Sequence, residues 1–164
     1  MHMINYLEIF KNIPPQIATM LIAMIPIAEN RVSIPVALGA YQMSVFSAIF
    51  WSALGSILAA ALVIFLLEKA RRIAVKRLSW ADKFFTWLYT RTERKFAKKY
   101  EYLGALALTL FVAIPLPMTG AWTGSLAAVV IGIKPLRALL FVSIGVILSA
   151  VIVALVSLGV INLT

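Results

Sequence analysis

The stretch Ile25–Gly39, IPIAENRVSIPVALG, places a glutamate and an arginine inside an otherwise apolar run, with Pro26 and Pro35 on either side of them. A charge at the centre of a bilayer costs roughly 2.5–3.5 kcal/mol even on the mildest insertion scale. Two such charges are tolerated only if they pair, meet water or find partners in the protein. The prolines interrupt any helix through this region, because each lacks an N–H and restricts the residue before it. The stretch therefore reads as a break between two short apolar limbs.

Composition supports this reading. The chain has 164 residues, 63% of them hydrophobic, and a mean hydropathy of +1.00. Soluble domains average about 45–50% apolar residues, so a single membrane domain over 1–164 is expected. There is no cysteine, the one histidine is His2, and the acids number six. Neither a thiolate or histidine metal site nor a Ser-His-Asp triad can be assembled. No enzyme, metal or cofactor is expected. Met1-His2-Met3 reads as a cloning remnant, and no cleavable signal peptide is expected. The net charge of +9 does not point to nucleic acid, because eleven of the 15 basic residues fall between Lys69 and Lys99, next to an apolar segment. Positive charge placed there sets membrane topology.

Two segments, 44–67 and 138–161, are long enough as helices to cross a hydrocarbon core of about 30 Å. The remaining apolar limbs, Gln16–Ala28, Val32–Met43, Leu103–Leu116 and Ala121–Ile133, are too short. Each pair is expected to form a re-entrant hairpin, with the non-helical tip buried in protein. The alternative joins each pair into one kinked span. The order of hairpin then span occurs twice: repeat 1 over 14–67, with its re-entrant part at 16–43, and repeat 2 over 102–162, with its re-entrant part at 103–133. Ile25-Pro26 matches Ile114-Pro115, and Gly55, Ile57, Leu58, Ala60 and Val63 match Gly145, Ile147, Leu148, Ala150 and Val153. Each repeat crosses once, so the second is inverted relative to the first, an arrangement found in transporters.

The fold class is thus all-α integral membrane, with two inverted repeats joined by a basic amphipathic helical linker at 68–101. The linker carries capping boxes at Ser79–Asp82 and Thr90–Glu93, and Trp80, Phe84 and Trp87 lie near one helical face. It is expected on the cytoplasmic side of a plasma or inner membrane, against anionic lipid, with Lys134 and Arg137 on the same side. Ala48, Ser52, Ser56 and Ala60, with Gly145 and Ser149, offer small-residue faces for close helix packing within or between protomers.

The candidate binding residues follow from the two breaks: Glu29, Asn30, Arg31 and Ser33 in the first, and Thr119, Gly120, Trp122 and Thr123 in the second. Ser33 and Thr119 are expected as N-caps of the returning limbs. Half-helix N-termini and Arg31 suit an anion such as phosphate. Glu29 suits a cation or a coupling proton, since a carboxylate can shed its charge by protonation where water is scarce. Glu29 and Arg31 could pair with each other or across the repeats. A purely structural ion pair in a membrane scaffold is the competing reading.

Ile25–Gly39 and Leu110–Ala128, LFVAIPLPMTGAWTGSLAA, resemble the small multidrug export protein family over nearly the whole chain. That family is similar in layout to the DedA membrane proteins, which carry opposed re-entrant loops. The resemblance implies a transporter of small molecules or, as in DedA members, of a lipid-linked phosphate of the undecaprenyl type with proton coupling. Glu29 matches the acid of the first DedA loop. A second acid on that limb and the arginines of the second loop are absent here, so Arg31 would have to bind the anion. A homodimer is expected to cover the polar tips of so small a chain.

Overall fold

The computed structural model describes residues 12–77, 98–116 and 119–161. Both linker capping boxes and Pro117-Met118 lie outside the described residues, as do Trp80, Phe84 and Trp87. The described chain is all-helical: α1 (Pro15–Met24), α2 (Glu29–Gly39), α3 (Val45–Arg77), α4 (Lys98–Ala113), α5 (Ala121–Ile131) and α6 (Pro135–Ile161).

Local chemistry sets most of these limits. Pro15 and Pro135 open their helices at the first position, where a missing N–H costs nothing. The Ser44 hydroxyl accepts the Ser47 N–H at 3.3 Å and caps α3. Pro26 forces Ile25 into extended backbone (φ −74°, ψ 128°) and so ends α1. Ile114-Pro115 follows α4 directly in the same way. Gly132, at φ 86°, closes α5 in a left-handed cap.

Two limits differ from the sequence reading. The first break is Ile25–Ala28, and α2 already begins at Glu29, so Ser33 lies inside the helix and caps nothing. Pro35 also lies inside α2, beyond its first turn. Its ring leaves the Arg31 carbonyl without the usual helical donor.

Helices α3 and α6 each carry a 26-residue apolar segment, Val45–Ala70 and Pro135–Val160, long enough to cross a bilayer. Large apolar side chains stand exposed along both, among them Phe46, Leu58, Leu62 and Leu66 on α3 and Leu140, Leu155 and Val156 on α6. A water-soluble monomer rarely exposes so much contiguous apolar surface; a membrane protein does. The short helices α1, α2 and α5 have 10, 11 and 11 residues, about 15–17 Å each.

The short helices fold back on one another. Thr19, midway along α1, has its hydroxyl 3.4 Å from the Met43 sulfur beyond the end of α2. A continuous kinked helix would hold these residues tens of ångströms apart. In the second pair, a Cβ on Gly124 of α5 would stand 3.8 Å from Leu108 Cδ1 and run into Val112, both on α4.

Packing repeats between the halves. α1 packs on α2 and α3, and α4 packs on α5 and α6; α2 packs on α3 and α6, and α5 packs on α6 and α3. Exchanging the first three helices for the last three leaves this set of pairs unchanged. The match extends to single residues. A Cβ on Gly55 would strike the Met20 carbonyl oxygen and Ala23 of α1, while one on Gly145 would strike the Thr109 carbonyl oxygen and Val112 of α4. Gly145 lies 90 positions after Gly55, and Thr109 and Val112 lie 89 after Met20 and Ala23. Near one end, Phe65, Glu68 and Lys69 of α3 line the same groove as Lys134–Arg137 at the start of α6. The two long helices therefore run antiparallel. The small residues Ala48, Ser52, Ser56 and Ala60 are fully buried within the chain.

These glycine contacts are testable. Gly55→Val and Gly145→Val should each destabilise the protein by about 1–3 kcal/mol through overpacking, seen as a lower Tm in detergent. Gly159→Ala, at a position open to space, should leave Tm unchanged.

Candidate functional site

The buried face of α2 carries Glu29, Asn30, Ser33, Ile34 and Ala37, the spacing of one helical stripe. Three of its five members are polar, and Glu29 is 7% and Asn30 4% exposed. Arg31, one position off the stripe, is half-buried. Glu29 and Arg31 are two apart on a helix and so point in different directions. They do not pair with each other; each reaches the second break instead.

The Glu29 carboxylate sits at the N-terminus of α5, where Oε1 accepts the Trp122 N–H at 3.3 Å. Free N–H groups and the positive end of the helix dipole make this position favourable for an anion. Gly120, the N-cap of α5, is buried against the carboxylate, and a Cβ there would collide with Glu29 Oε2. Glu29 also has φ 42°, in the left-handed region, where a non-glycine residue costs about 1–3 kcal/mol. Its contacts to α5 offset that strain.

Arg31 donates from Nη2 to the Thr119 carbonyl oxygen. The Trp122 indole N–H donates to the carbonyl of Met24, the last residue of α1, at 3.1 Å. This satisfies a helix-end acceptor that has no partner within α1. Glu29, Arg31 and Trp122 thus tie the first break to the second with three cross-bonds.

Asn30 and Ser33 point away from this junction, into the long helices. The Asn30 amide donates to the Val146 carbonyl of α6 at 3.1 Å and accepts from the hydroxyls of Ser52 at 2.8 Å and Ser56 at 3.0 Å on α3. The Ser33 and Ser52 hydroxyls are hydrogen-bonded to each other. Ser56 also lies 3.3 Å from the Ala23 carbonyl. Ser56 and Val146 each stand 11 residues into their 26-residue apolar segments, about 16 Å along the helix and near the middle of a 30 Å hydrocarbon layer.

The remaining candidates act locally. Thr123 Oγ1 accepts the Gly120 N–H at 3.1 Å, one half of a capping box. The Thr119 hydroxyl turns back to the carbonyls of Ile114 and Leu116, at 2.7 and 2.8 Å, and does not cap α5. Thr119 meets Arg31 mainly through its carbonyl. Sequence reasoning missed Ser52 and Ser56 as hydrogen-bonding residues, because their four-residue spacing had a packing explanation. Their hydroxyls in an otherwise apolar helix were the available signal. Met24 and Val146 take part through backbone atoms, which side-chain identity does not reveal. Among the described residues no group of three or more His, Cys, Asp or Glu could hold a metal.

The contact between Gly120 and Glu29 predicts a coupled pair of substitutions. Gly120→Ala should lower stability by about 1–3 kcal/mol, by displacing the carboxylate from α5. In a Glu29→Ala background the same change should cost about 1 kcal/mol less. A double-mutant cycle on thermal or denaturant unfolding reads the difference.

No curated protein and no solved structure matches the chain. A family model described as "putative small multi-drug export protein" matches residues 29–152, from the first residue of α2 into the second half of α6. With three-quarters of its length matched, including Glu29 and Arg31, the second break and the polar cluster between the long helices, the chain belongs to that family.

Proposed function

We infer that the protein is a membrane transporter that exports small molecules in exchange for protons, working at the junction where two re-entrant hairpins meet. One observation carries this reading. Two charged residues in the first turn of α2 are held by the segment that opens α5, one at a helix N-terminus and one on a carbonyl. Buried ionisable groups within a membrane protein mark ion or substrate pathways. The packing that survives exchange of the halves, the repeated glycine contacts and the antiparallel long helices support two inverted repeats.

In this proposal the bonded junction is an occluded state. A proton taken up by Glu29 removes the charge that favours its seat at α5, and the two tips part. Substrate then occupies the polar space between them, with Trp122 as an apolar wall and Arg31 released from Thr119. Repeats 14–67 and 102–162, the linker on the cytoplasmic side of a plasma membrane and a homodimer complete the arrangement.

A lipid-phosphate flippase is the second reading. It requires both Glu29 and Arg31 to be displaced, because the α5 N-terminus is already filled and the guanidinium already bonded.

Proteoliposomes test these readings. With an imposed proton gradient, the purified protein should move a cationic dye such as ethidium, and the movement should stop when the gradient is collapsed. Movement of a fluorescent isoprenyl phosphate instead of the dye would select the flippase. If neither probe moves, and variants of Glu29 and Arg31 change only stability, the protein is a non-transporting scaffold.

A further inference from the structure

Where the C-terminal part of α3 meets the start of α6, a surface groove is lined by Phe65, Glu68 and Lys69 from one side and by Lys134, Leu136 and Arg137, beside Pro135, from the other. The residues that line it include three cations and one carboxylate, and their stems and the apolar side chains form its wall. Phe65 is 48% and Leu136 75% exposed. Apolar surface continues along both helices through Leu62, Leu66 and Leu140, all exposed. Lys69 and Lys134 stand near the ends of the membrane-length segments of α3 and α6, at the depth of lipid headgroups.

Several occupants could cover such a groove. A second copy would bring the same positive charge. Residues 78–97 carry four cations and two carboxylates, again the same sign. A free inorganic anion would leave the apolar wall unused. An anionic phospholipid satisfies both features, with its phosphate at the cations and an acyl chain along the exposed leucines.

We propose that this groove is a binding site for an anionic glycerophospholipid, held by Lys69, Lys134 and Arg137 and seated against Phe65 and Leu136. The site is separate from the junction of the hairpin tips, and the inference does not depend on the transport reading. A bound lipid would clamp the end of α3 to the start of α6 and so join the two halves at the membrane surface.

Native mass spectrometry tests it, on protein released from mixed micelles holding equal amounts of phosphatidylglycerol and phosphatidylcholine. The expected result is preferential retention of phosphatidylglycerol. Each lysine removed should weaken that retention about five-fold, the value of one cation at an anionic surface. Lys134→Gln alone and Lys69→Gln/Lys134→Gln should therefore form a graded series. Leu136→Ser should weaken retention with no change in charge. Lys98→Gln/Lys99→Gln, which loses the same charge in the linker, should keep the preference. Glycerol phosphate, the headgroup without its chains, should not displace the lipid. Equal retention of the two lipids, or equal loss in the linker variant, would overturn the proposal. So would unchanged retention in the groove variants, as when residues 78–97 cover the site. All three groove positions are exposed, and gel filtration confirms that each variant remains monodisperse.

Discussion

Glu29→Gln is expected to leave a folded protein that no longer couples transport to protons. The glutamine carbonyl has the shape of the carboxylate and can still accept the Trp122 N–H, so the junction forms. What disappears is the negative charge at the α5 N-terminus, worth about 0.3–2 kcal/mol in a partly buried setting. The Tm should fall by only a few degrees. Gradient-driven dye movement should fall at least about 10-fold, because a neutral amide has no proton to take up or release. Arg31→Ala is expected to act differently. It frees the Thr119 carbonyl and loosens the tie between the breaks, yet leaves the proton site in place, so gradient-dependent movement should persist at a reduced rate. Dye flux at the wild-type rate through Glu29→Gln would exclude Glu29 as the coupling site.

Asn30→Leu is expected to give a large loss of stability among substitutions that preserve volume. Asn30 makes three hydrogen bonds to the two long helices at their midpoints. Hydrogen bonds between membrane helices average about 0.6 kcal/mol, with some near 1.7, and a polar group stranded without a partner costs about 1–3. The summed loss should be about 2–4 kcal/mol, read as a shift of the unfolding midpoint in a detergent titration. Removing the whole network should be milder. Asn30→Leu combined with Ser33→Ala, Ser52→Ala and Ser56→Ala leaves no orphaned hydroxyl in the cluster, and should recover at least half of the loss. If the quadruple variant is no more stable than the single one, the cluster does not act as a connected hydrogen-bond network.

The two substitutions separate the roles that α2 combines. Its residues 29 and 31 face the opposite hairpin and carry charge. Residues 30 and 33 face the long helices and are neutral. The periodicity of a helix makes this division, since neighbours in sequence point about 100° apart. A loop at the same place, as the sequence reading had it for residues 29–31, would have let all four side chains converge on one cavity.

Much of the helical layout was legible beforehand because its causes are local. A run of apolar residues either is or is not long enough to cross 30 Å, and the rise per residue decides which. Ile25-Pro26 and Ile114-Pro115 end helices wherever they occur, because proline restricts the residue before it. The 89- and 90-residue spacings visible in the sequence return as contacts made by Gly55 and Gly145. Helix starts were less legible. Ser33 and Thr119 have the chemistry of caps, but α2 begins four residues before Ser33, and the Thr119 hydroxyl turns back on its own chain. A capping residue is favoured only where a helix happens to start, and packing of the buried α2 face moved that start upstream.

By itself the sequence determined the apolar, all-helical character, the two long helices, the short limbs between proline breaks and the set of polar residues available at those breaks. Each depends on residues close together along the chain. Only the tertiary structure decided which group each polar residue meets: Glu29 with the α5 N-terminus, Arg31 with the Thr119 carbonyl, Trp122 with the end of α1, and Asn30 with both long helices. Those partners lie 22 to 116 positions away, and most of them are backbone atoms common to every residue. No local pattern encodes such a choice; it follows from how the six described helices pack.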